Sequence, residues 1–389
     1  MRTHVVAGDG ASQLVARRKL GPSDIIFGAI HIGPSDASQS AGAWGRTATQ
    51  EEANEAVIAA LAAGIVDFDS APMYSNGCSE ARLGKAIAAA GLLGKKARVT
   101  TKTGRLVRQL GGVDPVPADD TLTTDPELRE LIADYSGDGT RLSFRESLGR
   151  LGMGRCFALR VHDCDGAGDP PTDDLSDEVL AADGTLTALR ELRQAGDIDE
   201  VSLGMNSHVG FHRGPPYILR LLREAPAGTF DTALLAGGWN LLCHEGWEVL
   251  CECARRNIAV HVAGVFGGTG QEDNRNIFAP SRKWARAVKQ WTGLAAKHGC
   301  SLVETAVAFA SLPVAVKKIV LGMATPNEVT QNIVAIDAVQ RVPAQLWRDA
   351  ADLRLLPAGL VDGLVEARYI VLYCVPPRHD GSTRQINHS

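Results

Sequence analysis

The sequence predicts a closed (β/α)₈ barrel, and three observations point to it. Apolar runs of four to six residues alternate with amphipathic segments of 10–15 residues, the rhythm of parallel strands joined by right-handed crossover helices. Eight such units can be counted along the chain, the number that closes a barrel. No Gly-x-Gly-x-x-Gly follows any of the strands, which weighs against the competing open, doubly wound sheet.

Taken in order, residues 1–20 are polar and Arg-containing and read as an N-terminal arm. Residues 21–373 make one barrel domain with C-terminal helices, and 374–389 make a disordered tail. Asp24-Ile25-Ile26-Phe27-Gly28 is the first strand, followed by a Gly/Ser-rich loop over 33–46. Thr49 with Glu52 forms a capping box in front of a helix over 51–63. Ser79 is placed to cap an Ala-rich helix over 80–90. Further strands are expected near 65–69, 98–102, 156–161, 200–205, 232–236, 258–263 and 318–322. The intervening helices are expected near 141–151, 184–195, 215–224, 245–256, 284–298, 302–311 and 326–336, with 344–353 and 357–364 beyond the barrel. Residues 105–135, with Gly111-Gly112, Pro115, Pro117 and Asp119-Asp120, break the rhythm as a long loop inserted between the third strand and its helix. Loops of that length are functional or disordered, and this one leaves the face where barrel active sites lie.

Composition narrows the function. With 389 residues, 45% hydrophobic and 22% charged, the chain can bury a large core. A net charge of −5 and a pI near 6.1 argue against a nucleic-acid or anionic-membrane partner. No apolar run approaches a membrane span, and the first residues form no secretory signal. The eight cysteines are scattered without a Cys-x-x-Cys pair, which fits reduced thiols in a cytoplasmic protein and no metal site. Cys78 and Cys164 fall near the site described next and read as small buried thiols.

Three strand ends carry reactive side chains. Gly64-Ile65-Val66-Asp67-Phe68-Asp69-Ser70-Ala71-Pro72-Met73-Tyr74 delivers Asp69 and Tyr74, Val99-Thr100-Thr101-Lys102-Thr103-Gly104 delivers Lys102, and Phe157-Ala158-Leu159-Arg160-Val161-His162-Asp163 delivers His162. In order and spacing these resemble the catalytic tetrad of the aldo-keto reductase superfamily. The resemblance runs from about residue 20 to 357. Gly104-Arg105-Leu106, 134–139 and 143–152 make it most similar to the aldose (fucose and threo-aldose) and pyridoxal dehydrogenase branch.

That resemblance implies a TIM barrel, a nicotinamide cofactor, and catalytic roles for Asp69, Tyr74, Lys102 and His162. A phenol with a reference pKa of about 10 is a poor base at neutral pH. A neighbouring ammonium favours the phenolate, and a carboxylate holds the lysine. Tyr74 would then exchange the proton while His162 orients the reacting oxygen. The alternative is a structural Lys102–Asp69 ion pair and a core His162.

The same resemblance assigns cofactor-binding positions, with departures. Asn206 would bond the carboxamide, although Met205 replaces the family's serine. Trp239 would stack on the nicotinamide, although Ala236 stands where a glutamine is usual. Phe266, Gly267, Gly268 and Gly270 would bring backbone N–H groups to the diphosphate. Gly322, Thr325, Glu328 and Asn332 would line the adenosine ribose, with Gly322 and Glu328 where NADPH-selective relatives carry cations. A carboxylate repels a 2′-phosphate and accepts from a 2′-hydroxyl, so NAD is expected over NADP. For Trp239 the alternative is a core tryptophan, and for Glu328 a first-turn residue favoured by the helix dipole. The expected activity is oxidation of a sugar hemiacetal to a lactone. The rivals are an NAD(P)H-dependent carbonyl reductase and a cofactor-sensing binding protein on the same barrel.

Overall fold

In the computed structural model of the protein, eight parallel strands close into a barrel among the described residues, which are 19–34, 48–112, 122, 124–166, 173–206, 214–267, 275–357 and 359–361. The barrel strands are β1 (Ile25–Gly28), β2 (Asp67–Asp69), β3 (Arg98–Thr103), β6 (Ala158–His162), β7 (Glu200–Asn206), β8 (Thr232–Ala236), β9 (Ala259–Ala263) and β10 (Val316–Gly322). Each pairs with its sequential neighbour, and β1 closes on β10 with Ile25 opposite Ile319 and Gly28 opposite Gly322. Two strands stand outside the ring: β4 (Arg105–Gln109) and β5 (Arg129–Ala133) pair antiparallel as a hairpin.

The outer layer holds α1 (Gln50–Ala62), α2 (Cys78–Ala89), α3 (Gly137–Leu151), α4 (Ser176–Leu180), α5 (Thr185–Ala195) and α6 (Pro215–Glu224). It continues through α7 (Trp247–Arg255), α8 (Arg282–Lys297), α9 (Leu302–Ala310), α10 (Pro326–Ala338) and α11 (Ala344–Asp352). The helix boundaries follow the chemistry read from sequence. Thr49 and Glu52 exchange the two bonds of a capping box before α1, and Pro215 and Pro326 open α6 and α10, where proline's missing N–H costs nothing.

The core lies in two shells. Residues such as Phe27, Phe68, Val161 and Leu203 point from the strands into the helix layer, and all are buried. Trp239, Trp291 and Trp347 fill that layer, each burial contributing on the order of 2–3 kcal/mol. The opposite strand faces meet inside the barrel and carry charge. Asp67 sits at one end of the lumen between Arg98 and Lys318, and Asp69, Arg160 and His261 lie deeper.

Two expectations are corrected. Helix α2 starts at Cys78 with Gly77 as its N-cap, so Ser79 is not the cap. Its hydroxyl, fully buried, donates to the Ala29 carbonyl at 2.6 Å and lies 3.1 Å from the Ser70 hydroxyl, tying α2 to the first two strands. The 105–135 segment is not structureless: its two arms are β4 and β5. Arg108 donates to both oxygens of Glu146 on α3 at 3.0 Å, and Ser143 donates to the Arg105 carbonyl at 2.8 Å. These bonds lay the hairpin along α3. The expected arm lies outside the described residues up to 18, as do 362–389, with the tail and the end of the last expected helix.

Candidate active site

The C-terminal ends of β2, β3 and β6, three neighbouring strands, bring Asp69, Lys102 and His162 together, and the turn after β2 folds Tyr74 back over them. Lys102 Nζ donates to Asp69 Oδ1 at 2.5 Å, to the Ser70 carbonyl at 2.8 Å and to the Tyr74 hydroxyl at 3.0 Å. An ammonium has three protons, and each has an acceptor. The Tyr74 and His162 rings meet edge to face at 6.0 Å. The four residues singled out at the strand ends therefore share one site.

Burial sets its electrostatics. Asp69 and Lys102 are 2% and 1% exposed. Burial alone would raise the Asp69 pKa, but Lys102 and Arg160 outweigh it and hold the carboxyl below its ordinary range. Lys102 is penalised by burial and held charged, above its ordinary value, by Asp69 and Tyr74. Tyr74 departs from the sequence-based argument. Burial pushes its phenol above the ordinary value, Lys102 pulls it down by less, and Asp69 and Asp163 add to the rise. Asp69 answers part of the lysine's charge, so its pull on the phenol does not overcome burial.

A second polar cluster supports the first. Tyr135 donates to the carbonyl of His162, and Arg105 donates to the Tyr135 hydroxyl at 2.6 Å. Asp163, adjacent to His162, sits in a left-handed conformation (φ 41°), a strained backbone for a non-glycine residue. Its carboxylate accepts from the Asn206 backbone N–H at 3.1 Å and from the Asn206 side-chain amide at 3.2 and 3.4 Å, and lies 3.5 Å from His162 Nε2. Burial raises its pKa to about 6 despite those bonds. Sequence reasoning gave neither Asp163 nor Arg160 a role. The signal was there for Arg160, which shares the period-two face of His162 in an otherwise apolar strand.

The expected cofactor positions divide. Asn206 ends β7 at the site, and with its amide nitrogen committed to Asp163 its amide oxygen remains as an acceptor for a carboxamide N–H. Trp239 does not reach the site. It is 0% exposed and stacks on Phe309 of α9 at 4.8 Å and Trp247 of α7 at 5.6 Å, so it offers no face to a nicotinamide. The Gly267 N–H closes a turn onto the Gly264 carbonyl at 3.0 Å and is not available to a diphosphate. Phe266 packs on Phe278, while Gly268 and Gly270 lie outside the described residues.

At the end of β10, Gly322 packs so close to His31 that a Cβ there would lie 2.2 Å from the ring. Asn332 donates to the Gly322 carbonyl at 3.3 Å. Thr325 caps α10, and the Glu328 carboxylate accepts from the Ala324 and Thr325 N–H groups at 2.6 and 3.0 Å. Glu328 therefore closes the capping box with Thr325 and sets a negative charge at the start of the helix. Among the described residues no group of three or more His, Cys, Asp or Glu is placed to hold a metal, and no helix is long and apolar enough to cross a membrane.

Residues 24–346 match the model of the Aldo/keto reductase family. The chain is 31% identical over 331 residues to D-threo-aldose 1-dehydrogenase of Pseudomonas sp, covering 80% of this chain and 91% of that one. It is 29% identical over 347 residues to pyridoxal 4-dehydrogenase of Microbacterium luteolum, covering 85% and 95%. An aldo-keto reductase of Bacillus halodurans in its holo form shares the fold, with a TM-score of 0.60, 16% identity and 86% and 92% coverage.

Proposed function

Because the chain belongs to the aldo/keto reductase family of nicotinamide-dependent oxidoreductases, we propose that it oxidises a sugar hemiacetal to a lactone with NAD⁺. The observation that carries the chemistry is Lys102 Nζ held between Asp69 at 2.5 Å and the Tyr74 hydroxyl at 3.0 Å. The cofactor, when bound, supplies the acceptor for the hydride that leaves the anomeric carbon. Tyr74 takes the hydroxyl proton as the C–O bond becomes a carbonyl, Lys102 stabilises the phenolate, and His162 orients the oxygen. Asn206, fixed by Asp163, would hold the carboxamide.

The sugar assignment draws on the likeness to D-threo-aldose 1-dehydrogenase. The preference for NAD⁺ draws on Glu328, whose carboxylate already fills the N-terminus of α10. Arg275, a basic residue of the neighbouring loop, is engaged by Glu245 at 3.4 Å and by the Trp284 ring. A carboxylate a few ångströms from a 2′-phosphate costs on the order of 1–4 kcal/mol, a tenfold or larger preference. One feature favours the reverse reaction as a second reading: burial pushes the Tyr74 phenol above its ordinary value, toward the form that donates to a carbonyl. A cytoplasmic setting is part of the proposal, supported by the cysteines, which form no disulfide among the described residues.

The test is a panel of aldoses, pyridoxal and simple alcohols and carbonyls, assayed by nicotinamide absorbance with each cofactor. Aldose oxidation at least tenfold more efficient with NAD⁺ is expected. Turnover confined to carbonyls with NADPH would replace the proposal with the reductase reading. Tight cofactor binding without any turnover would replace it with the sensor.

A further inference from the structure

Arg160 lies inside the barrel on the same face of β6 as His162, is 1% exposed, and is bonded at every nitrogen. Its Nε donates to Asp69 Oδ2 at 2.8 Å, the carboxylate oxygen that Lys102 does not use. Nη1 donates to the Ser202 hydroxyl, which in turn is 2.7 Å from the hydroxyl of Thr232. Nη2 lies 2.9 Å from His261 Nδ1, and burial together with the Arg160 charge keeps that imidazole neutral. Gly204 on the adjacent strand leaves the space: a Cβ there would come 3.2 Å from Arg160 Cδ. Three strands besides its own thus contribute to one buried guanidinium, and among the described residues Asp69 is its one hydrogen-bonded anion.

We propose that Arg160 is a positioning residue which, acting through Asp69, leaves the Lys102 ammonium with positive charge to direct at the Tyr74 oxygen. The inference rests on Tyr74 being the group that exchanges the proton. A carboxylate facing one ammonium neutralises it, whereas Asp69 divides its two oxygens between two cations. Asp69, Lys102 and Arg160 together carry a net charge of +1, and the exposed end of that triad is the Lys102–Tyr74 bond. The other groups facing Tyr74 are His162 at the end of β6 and Asp163 just after it, and Asp163 opposes the phenolate. Glu200, at the far end of β7, feels the Arg160 charge without bonding to it. Removing Arg160 would let Asp69 neutralise Lys102 more fully and would raise the midpoint of the phenol by about one pH unit.

The test replaces Tyr74 in the full chain with a fluorinated tyrosine, whose phenol titrates nearer neutrality, and follows it by fluorine NMR. Arg160→Gln and Arg160→Met are expected to raise the midpoint by about one unit, and Arg160→Lys to leave it within a few tenths. A folded Gln or Met variant with an unmoved midpoint would make Arg160 a lumen filler and overturn the proposal. Should both neutral variants fail to fold, the Lys variant still decides: a rise of a full unit despite the retained charge overturns it. The titration needs no substrate, so the two ideas separate. A shifted midpoint without aldose oxidation would sink the sugar reading and leave the role of Arg160 standing; aldose oxidation with an unmoved midpoint would do the reverse.

Discussion

At Tyr74, burial and the Lys102 charge pull in opposite directions, and burial is the larger. Tyr74→Phe keeps the ring and removes the proton, so turnover should fall by at least ~10²–10⁴-fold while cofactor affinity, read by fluorescence quenching, stays near wild type. Lys102→Met removes the charge beside the phenol that lowers its pKa. Because Tyr74 acts as the base in oxidation, the limb over which kcat rises with pH should therefore move to higher pH; a lower rate with an unmoved limb would make Lys102 structural. Asp163 gives a prediction about stability. Its folded pKa of about 6 lies above its ordinary value of 3.8, so the folded state holds the proton more tightly. The protonated group's contribution is present at pH 4 and is lost as pH rises through 6, a change on the order of 3 kcal/mol. Melts of Asp163→Asn and wild type at pH 4.5 and 7.5 should show the variant gaining on wild type at the higher pH. The strand-end residues were legible because their order and spacing resemble a known tetrad, each falling at or just after the end of a short apolar run. Asp163 was not, since its partner Asn206 is 43 positions away and its conformation is set by that contact.

Among the elements, the hairpin was the least legible. Arg105-Leu106-Val107-Arg108-Gln109 has no two-residue alternation, and both arginines are buried together with the apolar pair between them. Their partners, Tyr135 and Glu146, lie 30 and 38 residues on. Arg108→Met should cost about 1–3 kcal/mol by denaturant melt, because it leaves the half-buried Glu146 carboxylate with Arg150 at 4.0 Å as its remaining cation. The double change with Glu146→Leu should recover much of that loss, and failure to recover would place the hairpin's anchorage elsewhere. Helix α10 was legible from Thr325 and Glu328, but the consequence of Gly322 was not. Lysine there would drive a Cβ into His31, so a switch of cofactor preference is better sought at Glu328. Glu328→Gln keeps the capping oxygen and should narrow the preference for NAD⁺ over NADP⁺ chiefly through KM for NADP⁺. Glu328→Ala should narrow it too and cost about 1 kcal/mol of stability.

For the whole molecule, the (β/α)₈ barrel was legible in the strand–helix rhythm, the count of eight units and the missing Gly-x-Gly-x-x-Gly, and in the structure the last strand pairs with the first. Trp239 was misread because a π-face is equally suited to a ligand and to Trp247 and Phe309, and only the packing of α7 and α9 decides between them. Binding should register on the global fold. At a hundredfold excess over Kd a ligand of the folded state adds about 2.7 kcal/mol, so NAD⁺ should raise Tm more than NADP⁺ at equal concentration. The groups of Asp69, Lys102, Tyr74 and His162 all spring from adjacent strands β2, β3 and β6, bonded to one another and to the lumen. The loops after β8 and β9 are joined instead by Asn240, which donates to the Gly237 and Gly264 carbonyls at 3.0 and 3.1 Å. One arc of the barrel mouth therefore gathers the candidate acid–base groups, while the opposite arc is pinned by a single side chain, so a change at Asn240 would loosen two loops at once without touching the β2–β3–β6 cluster.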